Sequence, residues 1–282
     1  MTEFTLFRAN PRALLVFLAT ASLALPSPSA MAETGGVLTA VLGSCDAEIS
    51  LVKDRLMEPK DHDLLGLTFT TGSIGENKVV LAKSGVGKVN AAIASALLIE
   101  RFRPTRLIFT GVAGAVSPDL LPGDVVIGAT MAQHDLGTWT DDGISRRGFA
   151  NPITGTRNPT GFPADTKLLA RAEQAAARVA LMAAVVDGTR RKPRVTSGVV
   201  ASGDTFIAST GKRRELREGL GADAVEMEGA AVAQVCHQFK VPCVIIRGIS
   251  DFADSRAEAD IDKFMEVAAR NSAMLALEML AE

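Results

Sequence analysis

The sequence predicts an α/β fold, a three-layer α/β/α sandwich around a mixed, largely parallel central sheet, built by one domain over residues 33–282. Two observations carry this prediction. From residue 36 onward, short apolar runs suited to buried strands alternate with stretches of helical apolar spacing. No internal repeat and no linker interrupts that alternation, and glycines punctuate most strand ends.

The first strand is expected over residues 37–42, running into Gly43-Ser44-Cys45-Asp46-Ala47-Glu48. Leu51, Val52 and Leu56 suit the face of a following helix. Asp61-His62-Asp63 reads as a solvated surface turn. Residues 67–72 and 78–82 form a hairpin-like pair, which makes the sheet mixed. Gly85-Val86-Gly87-Lys88 then opens a helix over residues 89–101, stopped by Pro104. A phosphate loop would need four residues between its glycines and Ser or Thr after the lysine, so this is a glycine-rich turn entering a helix. Residues 107–112 and 124–131 read as strands.

Residues 133–163 read as a long, polar, weakly periodic loop, carrying His134, Asp135, Trp139, Arg146 and Arg147. A helix over 164–180 turns Leu168, Leu169, Ala172 and Ala176 inward, and residues 187–194 form a basic surface turn. The strand at 195–202 leads into Gly203-Asp204-Thr205-Phe206-Ile207, followed by a short charged helix at 212–219. Strands at 224–227 and 241–249 flank a short helix, and an amphipathic helix over 261–280 closes the chain.

Residues 1–32 lie outside this domain. Arg8 and Arg12 precede an apolar run at 13–25, then Pro26, Pro28 and Ala30-Met31-Ala32, the pattern of a secretory signal peptide cut after Ala32. The run is shorter than the roughly 20 residues of a membrane span, and no cysteine follows the cut to carry a lipid anchor. The expected product is an exported, periplasmic or secreted soluble protein with no membrane partner. A formal charge of -2 lacks the basic footprint of a nucleic-acid binder. Cys45, Cys236 and Cys243 show no metal spacing, and the last two, among apolar neighbours, read as buried free thiols. His134 and His237 show no ligand spacing either, so neither a metal nor another cofactor is expected.

Chemistry concentrates in residues 222–254. The strand at 224–227 ends at Glu226 and Glu228, and the strand at 241–249 ends before Asp251. Ligands of open α/β sheets bind beyond the C-terminal strand ends, so two such ends on one edge would bring the carboxylates together. Glu226 and Glu228 flank Met227 and would share one face, with Arg247 as their counter-charge. Asp251, after an apolar strand, suits a general acid of raised pKa. Glu48, just after the first strand, suits either a helix-start charge or a catalytic carboxylate.

Four stretches carry a resemblance: KSGVGKVNAAIASAL at 83–97, SGDTFI at 202–207, VEMEG at 225–229 and RGISDFAD at 247–254. Together they resemble the 5′-methylthioadenosine/S-adenosylhomocysteine nucleosidases of the purine nucleoside phosphorylase superfamily, over about residues 37–280. The resemblance implies a nucleoside phosphorylase-like fold and water-dependent cleavage of the N-glycosidic bond of adenine nucleosides, through an oxocarbenium-like transition state. It implies that Asp251, helped by Ser250, protonates adenine N7, that Glu48 activates the water, and that Glu226 and Arg247 position it. Glu228 would hold the ribose hydroxyls and Met227 pack on the sugar, while Phe206 stacks on the base and the Ile207 backbone reads its edge. It also implies a homodimer in which a loop, here residues 133–149, closes the neighbour's pocket.

Acid and base need different environments, which a buried strand end for Asp251 and a more open loop for Glu48 would supply. Val112, Ile261 and Ser44-Cys45 depart from the family's usual residues and bear on the preferred 5′-substituent. Two other functions compete. A phosphate-dependent phosphorylase would need cationic or hydroxyl groups where Glu48 stands. An exported, non-catalytic purine-nucleoside binding protein would not need Glu48, Glu228 and Asp251 together.

Overall fold

The computed structural model describes residues 37–281, and the expected signal peptide lies outside them. In chain order the first elements are β1 (Leu38–Gly43), α1 (Asp46–Lys53), β2 (Met57–Leu64), β3 (Leu67–Ile74), β4 (Asn77–Lys83) and α2 (Lys88–Phe102). There follow β5 (Arg106–Ala115), β6 (Val125–Gln133), β7 (Gly137–Thr140), β8 (Gly143–Arg146), β9 (Gly161–Pro163) and α3 (Thr166–Arg178). The last group is β10 (Ala184–Val186), β11 (Thr189–Arg191), β12 (Val195–Ser202), α4 (Thr210–Leu220), β13 (Ala224–Glu226), α5 (Gly229–Phe239), β14 (Cys243–Asp251) and α6 (Ala257–Leu280).

Two parallel blocks make up the central sheet. Strands β4, β1, β5 and β14 run together, as do β6, β12 and β13, and the blocks meet antiparallel at β14 and β6. Strand β13 then pairs antiparallel with the far end of β5, Val225 opposite Gly114. That pairing closes β5, β14, β6, β12 and β13 into a ring of five strands. Every residue of β14 is buried, as its nearly unbroken apolar run requires of a strand covered on both faces.

Helices cover the sheet on both sides. One core joins the inner strand faces to α2 and α5 through Ala91, Leu98, Ala230, Val232 and Ala233. The other joins the opposite faces to α1, α3 and α6 through Ile49, Val52, Leu168, Ala172, Leu275 and Met279. Helix starts follow local chemistry. Asp165 caps α3 by accepting from the backbone N–H groups of Lys167 and Leu168, and Ser209 caps α4. Helix α2 has Gly87 at its N-cap, which carries no capping side chain.

The three layers and the main strands match expectation, and four local readings need correction. Asp61-His62-Asp63 lies in the exposed edge strand β2, where Asp61 and His62 hydrogen-bond Thr70 and Thr71 of β3. The long polar loop holds the β7–β8 hairpin, and β9 adds to β6. The basic turn is the β10–β11 hairpin and its exit, tied down by fully buried Asp124, which accepts from Arg191 Nη1 at 2.8 Å and Arg194 N at 2.7 Å. The fourth correction bears on the site. Strands β13 and β14 run in opposite directions, so their ends do not share one edge; ring closure brings their carboxylates together instead.

Helix α6 lies so close to β14 that a Cβ built on Gly248 would sit 2.6 Å from the carbonyl carbon of Ala268 and 2.9 Å from its Cα. Backbone, unlike a side-chain tip, cannot rotate away. Gly248→Ala is therefore expected to lower unfolding free energy by about 1–3 kcal/mol, read as a lower urea midpoint with an unchanged slope.

Candidate active site

Arg247 stands in the middle of β14 with its side chain wholly inside the protein. Its Nε and Nη2 both donate to Oε2 of Glu226, at 3.1 and 2.7 Å. Nη1 donates to the carbonyls of Phe109 and Ile246, both at 3.3 Å, and the guanidinium carbon lies 4.2 Å from the centre of the Phe109 ring. Burial works against the charge, but Glu226, Glu48 and Glu228 outweigh it and hold the guanidinium protonated above its ordinary range.

The three carboxylates come from three elements. Glu226 ends β13, and its Oε2 also accepts from the backbone N–H groups of Glu228 and Gly229, while Oε1 accepts from the Ser202 hydroxyl. Glu228 is the N-cap residue of α5, not a strand residue sharing a face with Glu226, and its Oε1 accepts from Gly87 N at 2.8 Å. Burial, and then the Glu226 charge, push the Glu228 carboxyl up to about 7.

Glu48 lies in the first turn of α1. Its Oε2 accepts from Ser44 N at 2.5 Å and its Oε1 from Val112 N at 2.9 Å. The Val112 contact runs through the backbone, so valine at this position leaves it intact. Gly111 makes the cluster possible, since a Cβ there would lie 2.7 Å from Glu48 Oε1 and 2.8 Å from Arg247 Nη1.

Asp251 closes β14. Its Oδ1 accepts from Ala253 N and its Oδ2 from the Ser250 hydroxyl, each at 2.8 Å. Burial pushes its carboxyl above the usual range; the two hydrogen bonds oppose that rise, and the nearby Asp260 and Asp254 add to it. A small cavity joins Asp251 and Glu226, lined also by Gly114, Phe206, Ile207, Val225 and Met227. Phe206 is 43% exposed and free to present its ring, whereas Ile207 is buried.

The residues singled out in sequence therefore meet in two groups. Glu48, Glu226, Glu228 and Arg247 form one, and Ser250, Asp251, Phe206, Ile207 and Met227 form the other, joined by the cavity that Asp251 and Glu226 share. A second expectation fails here, after that of a shared strand face for Glu226 and Glu228. Glu48 is 3% exposed and Asp251 2%, so openness does not distinguish them. Their neighbours do: Glu48 has two backbone N–H donors and the Arg247 charge, while Asp251 has two further carboxylates nearby and, among the described residues, no cation hydrogen-bonded to it.

Sequence reasoning missed Ser202, Lys88, Asp135 and Asp204, and the backbone donors at Ser44, Gly87 and Val112. Ser202 and Asp204 lie in the SGDTFI stretch, Lys88 in the glycine-rich entry to a helix and Asp135 in the long polar loop, where no local pattern pairs them, and a backbone N–H has no sequence signature. Among the described residues no group of three or more His, Cys, Asp and Glu side chains is placed to hold a metal. Cys236 and Cys243 are buried free thiols, and Cys45 is half-buried at the start of α1.

Comparison with known proteins bears on this geometry. The family model described as "Phosphorylase superfamily" matches residues 38–281. A 5′-methylthioadenosine/S-adenosylhomocysteine nucleosidase of Bacillus thuringiensis is 35% identical over 244 residues, 86% of this chain and 98% of the relative. The Neisseria meningitidis nucleosidase of the same name, solved with methylthio-immucillin-A, superposes with a TM-score of 0.74 at 36% identity, covering 86% of this chain and 98% of that one. The Helicobacter pylori futalosine hydrolase superposes with a TM-score of 0.75 at 30% identity, covering 87% and 97%.

Removing one member of a buried ion pair strands the other. Arg247→Met is expected to cost about 3–5 kcal/mol in chemical denaturation. Adding Glu226→Gln to that variant should recover part of the loss, because a neutral amide keeps an acceptor for the Gly229 N–H without needing a counter-charge.

Proposed function

The chain belongs to the 5′-methylthioadenosine/S-adenosylhomocysteine nucleosidase family within the phosphorylase superfamily, and from that premise we propose that it hydrolyses the N-glycosidic bond of adenine nucleosides such as 5′-methylthioadenosine or S-adenosylhomocysteine. The observation that carries this reading is the opposition of two chemistries across one cavity. Asp251, with its raised pKa, lines the cavity beside Phe206 and Ile207, and Glu226 lines it as the cavity-facing member of a charged wall in which Arg247 also draws Glu48 and Glu228.

Adenine is a poor leaving group as an anion. With its base stacked on Phe206 and its edge against the Ile207 backbone, N7 would take the Asp251 proton as the C1′–N9 bond breaks. The carboxylate left behind keeps the Ala253 N–H and Ser250 O–H donors that stabilise its charge. The sugar becomes oxocarbenium-like, and negative charge beside it lowers the barrier. Glu228 would accept hydrogen bonds from the ribose hydroxyls, and Met227 would pack on the ring. Water attacks C1′ and gives its proton to Glu48, with Arg247 and Glu226 positioning it.

Three carboxylates against one guanidinium leave this wall net negative, which opposes a phosphate dianion and favours water over phosphorolysis. The likeness to a futalosine hydrolase at 30% identity keeps the 5′-group open. Half-buried Ile261 on α6 and the Ser44-Cys45 turn are the departures that bear on it. A homodimer belongs to the same reading, with residues 133–149, which carry exposed Trp139 and Phe149, set against the neighbour's pocket. So does export, through residues 1–32.

The test is adenine release from methylthioadenosine, adenosylhomocysteine, adenosine and futalosine, each with and without phosphate. Release independent of phosphate is expected, and strict dependence would contradict hydrolysis. Asp251→Asn should lower kcat by at least about 100-fold.

The pH profile has a defined sign. Glu228 must be ionised to accept from the sugar, and its carboxyl lies at about 7. The ratio kcat/KM should therefore fall as pH drops through about 7, and Glu228→Gln should abolish that limb.

A further inference from the structure

A second polar cluster lies outside the pocket and joins three segments distant in sequence. The backbone N–H of Lys88 donates to Asp204 Oδ1 at 2.7 Å. The backbone N–H of Asp204 donates to Asp135 Oδ2 at 3.0 Å. The Lys88 ammonium donates to Asp135 Oδ1 at 2.6 Å and to Gln133 Oε1 at 3.0 Å. These contacts form a closed ring through the start of α2, the end of β6 and the loop after β12. The ion pair is partly sheltered, with Lys88 and Asp135 side chains 15% and 30% exposed.

The ring supplies what α2 lacks. Its N-cap, Gly87, has no side chain, so Asp204 provides a cap from another part of the chain. Gly87 holds φ +94°, and a Cβ on it would lie 3.2 Å from Asp204 Oδ1. In that conformation its own N–H points at Glu228. Two adjacent amides at one helix start thus take two carboxylates: Lys88 N–H takes Asp204 and Gly87 N–H takes Glu228.

We propose that Lys88, Asp135 and Asp204 are positioning residues, a ring that fixes the start of α2 so that the Gly87 N–H keeps its hydrogen bond to the Glu228 carboxylate and aims it for substrate. This inference rests on the reading of Glu228 as the group that accepts from the sugar hydroxyls. No member of the ring lines the pocket cavity, and none takes part in the chemical step. Glu228 is faced by Glu226 from β13, Arg247 from β14, Glu48 from α1 and the Gly87 amide. Of these, the amide and Arg247 favour the ionised form, and the ring controls the amide.

The ring and simple electrostatics predict opposite signs for one substitution. Asp204→Ala removes a negative charge from the neighbourhood of Glu228, which by itself would ease ionisation and move the acid limb of kcat/KM down. Losing a hydrogen bond to a charged group moves it up, by about one pH unit. The expected result is the upward shift, with a loss on the order of tenfold below the limb that narrows above it, and KM changing more than kcat. Asp204→Asn keeps an oxygen for the Lys88 N–H and should restore a near wild-type limb.

Glu228→Gln separates the two levels of inference. A limb that persists in Glu228→Gln overturns the role given to Glu228, and the ring with it. A limb that Glu228→Gln abolishes but that stays put or moves down in folded Asp204→Ala overturns the ring alone. Should Asp204→Ala not fold, Asp135→Asn, which gives up the charge holding the Lys88 ammonium, is read the same way.

Discussion

One positive charge with no water around it organises this protein. Arg247 is wholly buried in the middle of a strand, and a bare guanidinium there would be prohibitively costly. Glu226 answers it by accepting from two of its N–H groups, Phe109 and Ile246 supply carbonyls, and Glu48 and Glu228 add longer-range attraction. In return, the guanidinium allows three carboxylates to stand close together without all taking up protons. Their combined field is negative, which suits a sugar that becomes cationic and repels a phosphate.

Bringing those groups together is a problem of topology before it is one of chemistry. Glu48 sits on the first helix, Glu226 and Glu228 on either side of the β13–α5 junction, and Arg247 and Asp251 on β14. An open parallel sheet would leave β13 and β14 apart. The antiparallel pairing of β13 with the far end of β5 closes the five-strand ring and carries Glu226 to Arg247. Gly111 and Gly114 on β5 leave the room: a Cβ at either would lie within 3 Å of a site side chain, at Gly114 2.5 Å from Asp251 Oδ1. Small residues on β5 are thus a requirement of the carboxylates on other elements.

Much of this was legible in the sequence, for physical reasons that differ by element. Strands such as β5 and β14 are long apolar runs, and α2, α3 and α6 show helical spacing, so burial alone marks them. The charged residues within and at the ends of these strands stood out because charge is rare in such runs, which is why Glu226, Arg247 and Asp251 could be named. Strand β2 was not legible, since an edge strand with a solvated face carries the polar composition of a turn. The direction of β13 was not legible either, because pairing partners leave no trace in a three-residue strand. By its own neighbourhood Glu48 suited a helix-start charge as well as a catalytic carboxylate, and only the Val112 and Ser44 amides show how deeply it is held. The ring of Lys88, Asp135 and Asp204 links positions more than a hundred residues apart at its extremes and depends on two backbone N–H donors. No local pattern reports such contacts.

The central claim is that this carboxylate–guanidinium wall delivers water, and not phosphate, to the anomeric carbon. The most direct measurement is one turnover of methylthioadenosine in oxygen-labelled water with saturating unlabelled phosphate present, followed by mass analysis of the sugar product. The account predicts free 5-methylthioribose carrying the label at its anomeric hydroxyl, together with unlabelled adenine. An unlabelled sugar 1-phosphate in its place would contradict it.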